Sequence, residues 1–243
     1  MNNSTNQNKL SKQEKESINY FTKTDTLKYV GGGLLIAGLF CLWIGFRLGV
    51  IGFILALIGT PLGLLLFLFG ASGRATDEDM EASITSKMAG LFIEIDNNRH
   101  YQLRLLKHLK EHTIEGYHYY GTGIRLKKMK NGSLRTSEFG RAKVRILSDS
   151  LYIVSRKISL INDDVENDTY EIFYDNIKNI EIIREQNRVI FNKTTFFTKP
   201  CYFHIVTDDQ DIKLPIVDAV TSDELVDIIK RQMSIYNDNK SKA

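Results

Sequence analysis

Apolar positions are distributed very unevenly along this chain. Residues 29–71 carry a single charge, Arg47, while the segments on either side mix charged residues with short apolar runs. Two apolar runs, 29–46 and 48–70, meet at that arginine. A helix rises about 1.5 Å per residue, so 18 and 23 residues reach about 27 and 34 Å, enough for a hydrocarbon layer about 30 Å thick. The pattern predicts a two-helix transmembrane hairpin over 29–71 with its turn at 46–49, where Gly49 tolerates a tight backbone and Arg47 extends to the headgroups. A secretory signal peptide has a short basic start and one short apolar core. Here a 28-residue polar tail comes first and the apolar stretch is about twice too long.

Within the two runs, Gly31, Gly38, Gly45, Gly52, Gly59 and Gly63 recur, with Ala56 among them. Small residues on one helical face let backbones approach, which predicts antiparallel packing of the two spans and also permits a homo-oligomer. Pro61 is expected to kink the second span. Neither span has a charged residue at mid-depth, which argues against a proton relay or ion pathway. The five lysines of residues 1–28, against Arg47 alone at the tip, predict a multi-pass protein of the cell membrane with both flanks cytoplasmic.

After the spans the texture changes twice. Thr76 with Asp79 has the form of a capping box, and Met80, Ile84, Met88, Leu91 and Ile95 follow at helical spacing. A second helix is expected over 98–112. This helical linker, 72–114, either lies on the bilayer surface or packs on the domain beyond it. From 116 onward, short runs of Tyr, Ile, Val, Phe and Thr alternate with turn formers. Strands are expected at 116–126, 134–138, 143–147, 151–160, 169–174, 180–184, 188–197, 202–207 and 212–217. Turns are expected at Asn131-Gly132, 148–150, 162–168, 186–187 and 208–211. A closing helix begins at the box formed by Thr221 and Glu224 and carries Leu225, Ile228, Ile229 and Met233. The predicted organisation is therefore a tail (1–28), the hairpin (29–71), the linker (72–114), an α+β domain (115–237) and a short tail (238–243). In the α+β domain, seven or more antiparallel strands form a small barrel or pair of sheets, capped by one helix.

Charge sharpens this division. Residues 99–157 carry 14 cations against 4 acids, and residues 158–243 carry 10 against 16. Beside a membrane, a basic segment favours anionic headgroups; alternatively, the two faces pair with each other. Cys41 lies in the first span and Cys201 far from it, which suits a reducing compartment rather than a disulfide.

The segment 144–232 resembles the bacterial pleckstrin-homology-like domains of small membrane proteins. The resemblance is carried by the strand pair across Ser148-Asp149-Ser150, by the segment with Tyr174, Ile177 and Ile180, and by the terminal helix. Membrane hairpins often precede such domains. It implies a binding platform for a protein, a peptide or an anionic lipid headgroup, with no cofactor and no catalysis. Fold alone does not specify the ligand.

Two motifs bear on chemistry. Arg125, Lys127, Lys128, Lys130 and Arg135 surround the Asn-Gly turn; they either engage anionic lipid or protect a strand edge as solvated charges. His108, Glu111 and His112 match the H-x-x-E-H pattern of zinc peptidases, which on a helix sets two ligands and a general base on one face. A further carboxylate ligand is not evident, so the zinc enzyme is the alternative reading, along with a structural subunit of a membrane complex. His118 and His204 are expected to pack within strands, and the acidic loops lack EF-hand spacing. The cations are confined to one segment with no nucleic-acid-binding module, so no nucleic acid partner is expected.

Overall fold

The computed structural model describes residues 10–23, 26–90, 110–121, 123–129, 132–191, 194–217 and 219–242. The chain divides into two compact units, Met1–Asp77 and Glu78–Ala243.

The first unit holds helices α1 (Lys12–Thr22) and α2 (Thr26–Ala71). Helix α1 lies within the expected polar tail, a helix that the sequence reading did not include. Ser11 caps it, its hydroxyl accepting from the Glu14 N–H while the Glu14 carboxylate accepts from the Ser11 N–H. Tyr20 and Phe21 are buried, and the Tyr20 hydroxyl donates to Asp77 at 2.7 Å.

Helix α2 is interrupted at Gly49, whose φ of 66° and ψ of −153° suit a residue without Cβ. Its two arms then run back along each other. A methyl on Gly63 would fall 2.5 Å from the Leu35 nitrogen, and one on Gly38 would fall 2.8 Å from the Thr60 nitrogen. A methyl on Gly31 would fall 2.8 Å from the Phe67 Cα, and one on Gly70 2.6 Å from the Lys28 nitrogen. Gly59 and fully buried Ala56 belong to the same seam. Gly45 and Gly52 fall outside its described side chains. Gly70 completes the series and escaped the sequence reading. The backbone angles stay helical across Pro61, where a kink was expected. Large side chains point outward instead: Trp43 is 79% exposed and Tyr29 75%. Among the described residues, Thr26–Trp43 is long and apolar enough to cross a membrane, and Ala56–Ala71 is a shorter apolar helix.

The second unit is an antiparallel β fold with a C-terminal helix. Helix α3 (Asp77–Met88) is followed by strands β1 (Lys110–Tyr117), β2 (Leu126–Lys128), β3 (Leu134–Thr136), β4 (Glu138–Ile146), β5 (Ser150–Ser159), β6 (Val165–Phe173), β7 (Ile177–Arg184), β8 (Asn187–Phe191), β9 (Thr194–Thr198), β10 (Cys201–Thr207) and β11 (Asp211–Ile216). Helix α4 (Ala219–Lys240) ends the fold. One sheet has the order β1-β4-β5-β6 and a second β11-β10-β7, while β2-β3 and β8-β9 form separate hairpins. The sheets meet where the Val217 N–H donates to the Glu115 carbonyl at 2.8 Å. Gly116 permits this corner, since a methyl there would fall 2.8 Å from the Ile216 nitrogen.

Strand alternation builds the core. Val144, Leu151 and Ile153 from the first sheet meet Phe203 and Ile205 from the second, and Leu225 and Ile229 of α4 complete the cluster. The apolar stripe of α3 is equally well used: Met80, Ile84 and Met88 are all buried. Leu91 and Ile95 lie outside the described residues.

Several expectations are corrected here. Residues 110–112 are strand, not helix, because Glu111 and Thr113 stand opposite Arg145 and Lys143 in a ladder; the rest of the 98–112 expectation lies outside the described residues. The strand expected at 116–126 ends at Tyr117. The turn expected at 162–168 yields to β6 from Val165. The single strand expected at 188–197 is a hairpin. Helix α4 starts at Ala219, so Thr221 lies inside its first turn rather than capping it.

Candidate functional site

The basic hairpin does not present its cations together. In the β2–β3 ladder Lys127 stands opposite Arg135 and Lys128 opposite Leu134. Alternation therefore puts Lys127 and Arg135 on one face and Lys128 on the other. Arg135 is only 7% exposed. Its guanidinium bonds Glu81 of α3 and lies 5.8 Å from the centre of the Tyr117 ring. It is a clasp between α3 and the sheet rather than a ligand-facing cation. Arg125 is half-buried and Lys128 exposed, while Lys130 and Asn131 lie outside the described residues. Changing Arg135 to Ala is therefore expected to cost about 1–3 kcal/mol of stability, read as a lowered urea midpoint, without changing affinity for anionic vesicles.

Among the described residues, three further cations of the basic segment are neutralised on the outer face of the first sheet. Arg141 bonds Glu115 at 2.6 Å, Arg145 bonds Glu111 at 2.7 Å, and Lys143 reaches Glu111 at 3.1 Å. Burial alone would raise the Glu111 carboxyl, but the hydrogen bonds from Arg145 and Lys143 outweigh it and hold it below the ordinary range. Glu111 is thus an anion clamped by two cations. His112, next to it on a strand, points to the opposite face, where burial and Lys110 depress its ring. His108 lies outside the described residues. The one-face arrangement that zinc chemistry requires depends on helical spacing, which this strand does not have at 111–112. Among the described residues no group of three His, Cys, Asp or Glu side chains is placed to hold a metal.

His204 sits between carboxylates on the second sheet, 2.6 Å from Asp211 and 3.6 Å from Glu181. His118 has a different setting, which the sequence did not indicate. It lines a cleft of about 440 Å³ between the first sheet and β11, with Ser155, Lys157, Asp168 and Tyr170 along one wall and Ile212 and Leu214 along the other. These polar residues continue the inward-facing rows of Ala142 and Val144, so the core face of the sheet becomes polar toward this end. Lys157 is held by Glu138 at 3.0 Å and Glu166 at 3.5 Å. Gly140 keeps the floor open, since a methyl there would fall 2.6 Å from the His118 ring.

Burial, helped by nearby Lys157, depresses the His118 ring from 6.5 to about 4. The unfolded chain therefore takes up this proton first as the pH falls. Folded stability is complete above about 6.5, declines as pH drops toward 4 and levels off below it, a loss on the order of 3 kcal/mol. Urea titrations between pH 7 and 4 are expected to show this loss in the parent chain and a flatter profile after His118→Gln.

No protein-family model, curated protein or solved structure matches this chain.

Proposed function

We propose that this chain is a non-enzymatic, membrane-anchored binding module. Its helical pair crosses the bilayer twice with both flanks in the cytoplasm. Its β domain, of pleckstrin-homology-like form, meets a protein, a peptide or an anionic headgroup there. The observation that carries the anchor is the inside-out packing of α2. Its seam is glycine against backbone, while Trp43, Tyr29 and Phe69 face outward. In water such a hairpin would bury its large side chains, whereas in lipid close backbone packing drives association and large apolar residues face the chains. The same seam uses the glycine faces within one chain, which favours an anchor over a self-associating subunit.

The strand order supports the domain reading. With the β2–β3 and β8–β9 hairpins set aside, four meandering strands, three more and a terminal helix follow in chain order. The paired Glu111 and the strand at 110–112 weigh against the zinc-peptidase alternative. Membranes washed in alkaline carbonate are expected to retain the full chain; its release would overturn the anchor. An impermeant maleimide is expected to reach half-buried Cys201 only after cells are opened, and labelling in intact cells would overturn the orientation.

A further inference from the structure

Strands β8 and β9 belong to neither large sheet. They prolong the β7–β10 ladder as a finger. Arg184 pairs with Cys201, the Glu185 N–H donates to the Pro200 carbonyl at 3.0 Å, and the register resumes from Asn187–Thr198 to Phe191–Thr194. Two strands without a third gain little from burial in water. On this finger Arg188 stands directly opposite Phe197, which is 66% exposed. Arg188 and Lys199 are also exposed.

The local charge is unusual for its surroundings. Residues 186–207 carry three cations and no carboxylate, inside a region, 158–243, where acids outnumber bases 16 to 10. The flanking carboxylates are engaged: Glu185 accepts from the Tyr120 hydroxyl and Asp223 from Arg184.

We infer that this finger is a second membrane contact, in which Phe197 enters the headgroup boundary of an anionic leaflet while Arg188 and Lys199 meet lipid phosphates. An aromatic ring suits the interface between headgroup and chain. Cations beside it are attracted by anionic lipid, and their long stems let the charge stay at the phosphates while the ring goes deeper. The inference rests on the anchor reading. An anchored chain holds the finger near the leaflet at high effective concentration, so a weak contact is sufficient.

The chain has one tryptophan, Trp43, in the apolar helix. This allows two reporters in the full chain, reconstituted in nanodiscs of brominated lipid. The parent chain reports the anchor through Trp43. The double variant Trp43→Phe with Phe197→Trp reports the finger. In discs containing phosphatidylglycerol the finger reporter is expected to shift to the blue and be quenched, and in pure phosphatidylcholine to lose most of that quenching. Raising salt to about 1 M, where screening acts within about 3 Å, is expected to abolish it. Adding Arg188→Glu and Lys199→Glu is expected to do the same. A finger reporter that stays unquenched in anionic discs, while Trp43 is quenched, overturns this contact and leaves the anchor standing; an acidic protein is then the better partner for the finger. Quenching equal in both lipids and unmoved by charge reversal also overturns it. Failure of Trp43 itself to be quenched overturns the anchor instead.

Discussion

Replacing Gly63 with leucine is expected to force the two arms of α2 apart, whereas the same change at Gly33 should be silent. A methyl on Gly63 would fall 2.5 Å from the Leu35 nitrogen and 2.9 Å from the Leu34 carbonyl carbon, while Gly33 has nothing within 4 Å. The obstructing atoms are backbone, so relief needs movement of a whole helix rather than a rotamer change. Overpacking in a well-packed core costs about 1–3 kcal/mol and more where the surroundings cannot yield. The seam should sit at the upper end, since close backbone approach is itself the source of association in lipid. Thermal unfolding of the full chain in detergent micelles measures this. Gly63→Leu should lower the midpoint well beyond Gly33→Leu, and equal midpoints would remove the seam from the account of the anchor.

A carboxylate placed under the terminal helix should have the largest effect in the second unit. Ile229 is fully buried among Leu225, Phe203 and the inner strands. Ile229→Asp loses that packing and leaves a polar group without a partner. Burial of an unpaired polar group costs several kcal/mol before the lost apolar contacts are counted, so on the order of 4 kcal/mol or more is expected. The neighbouring Lys230 is exposed, and Lys230→Asp should change little. Urea midpoints of the two variants in detergent give the comparison, and binding of a hydrophobic dye should rise for Ile229→Asp alone. Similar midpoints would mean that α4 does not cover the core between the sheets.

Much of the architecture was legible because it depends on local pattern. The alternation of Val144, Ile146, Leu151 and Ile153 specifies strands buried on one face, and the stripe of Met80, Ile84 and Met88 specifies the buried face of α3. Helix α1 was not read: its signals, Ser11 with Glu14 and the pair Tyr20 and Phe21, sit among polar residues that gave the segment the look of a tail. The strand at 110–112 was not legible. Its alternation begins inside a run rich in Leu, Arg and Lys, and only the partner β4 holds it extended. The hairpin at 187–198 read as one strand because both halves have the same β-forming composition.

By itself, then, the sequence determined most of the elements and marked one stretch, charged only at Arg47, as apolar enough to suggest a membrane span, because periodicity and hydropathy are local properties. Tertiary structure alone decided which charges remain available. Arg135, counted among five exposed cations, is drawn inward by Glu81 and Tyr117, 54 and 18 residues away in the chain. Arg141 and Arg145 are neutralised by glutamates brought beside them by strand pairing. Conversely, His118 and the cleft around it exist only because β11 crosses over the first sheet. Coulomb attraction and burial act through space, and residues distant in sequence become neighbours only once the sheets have closed.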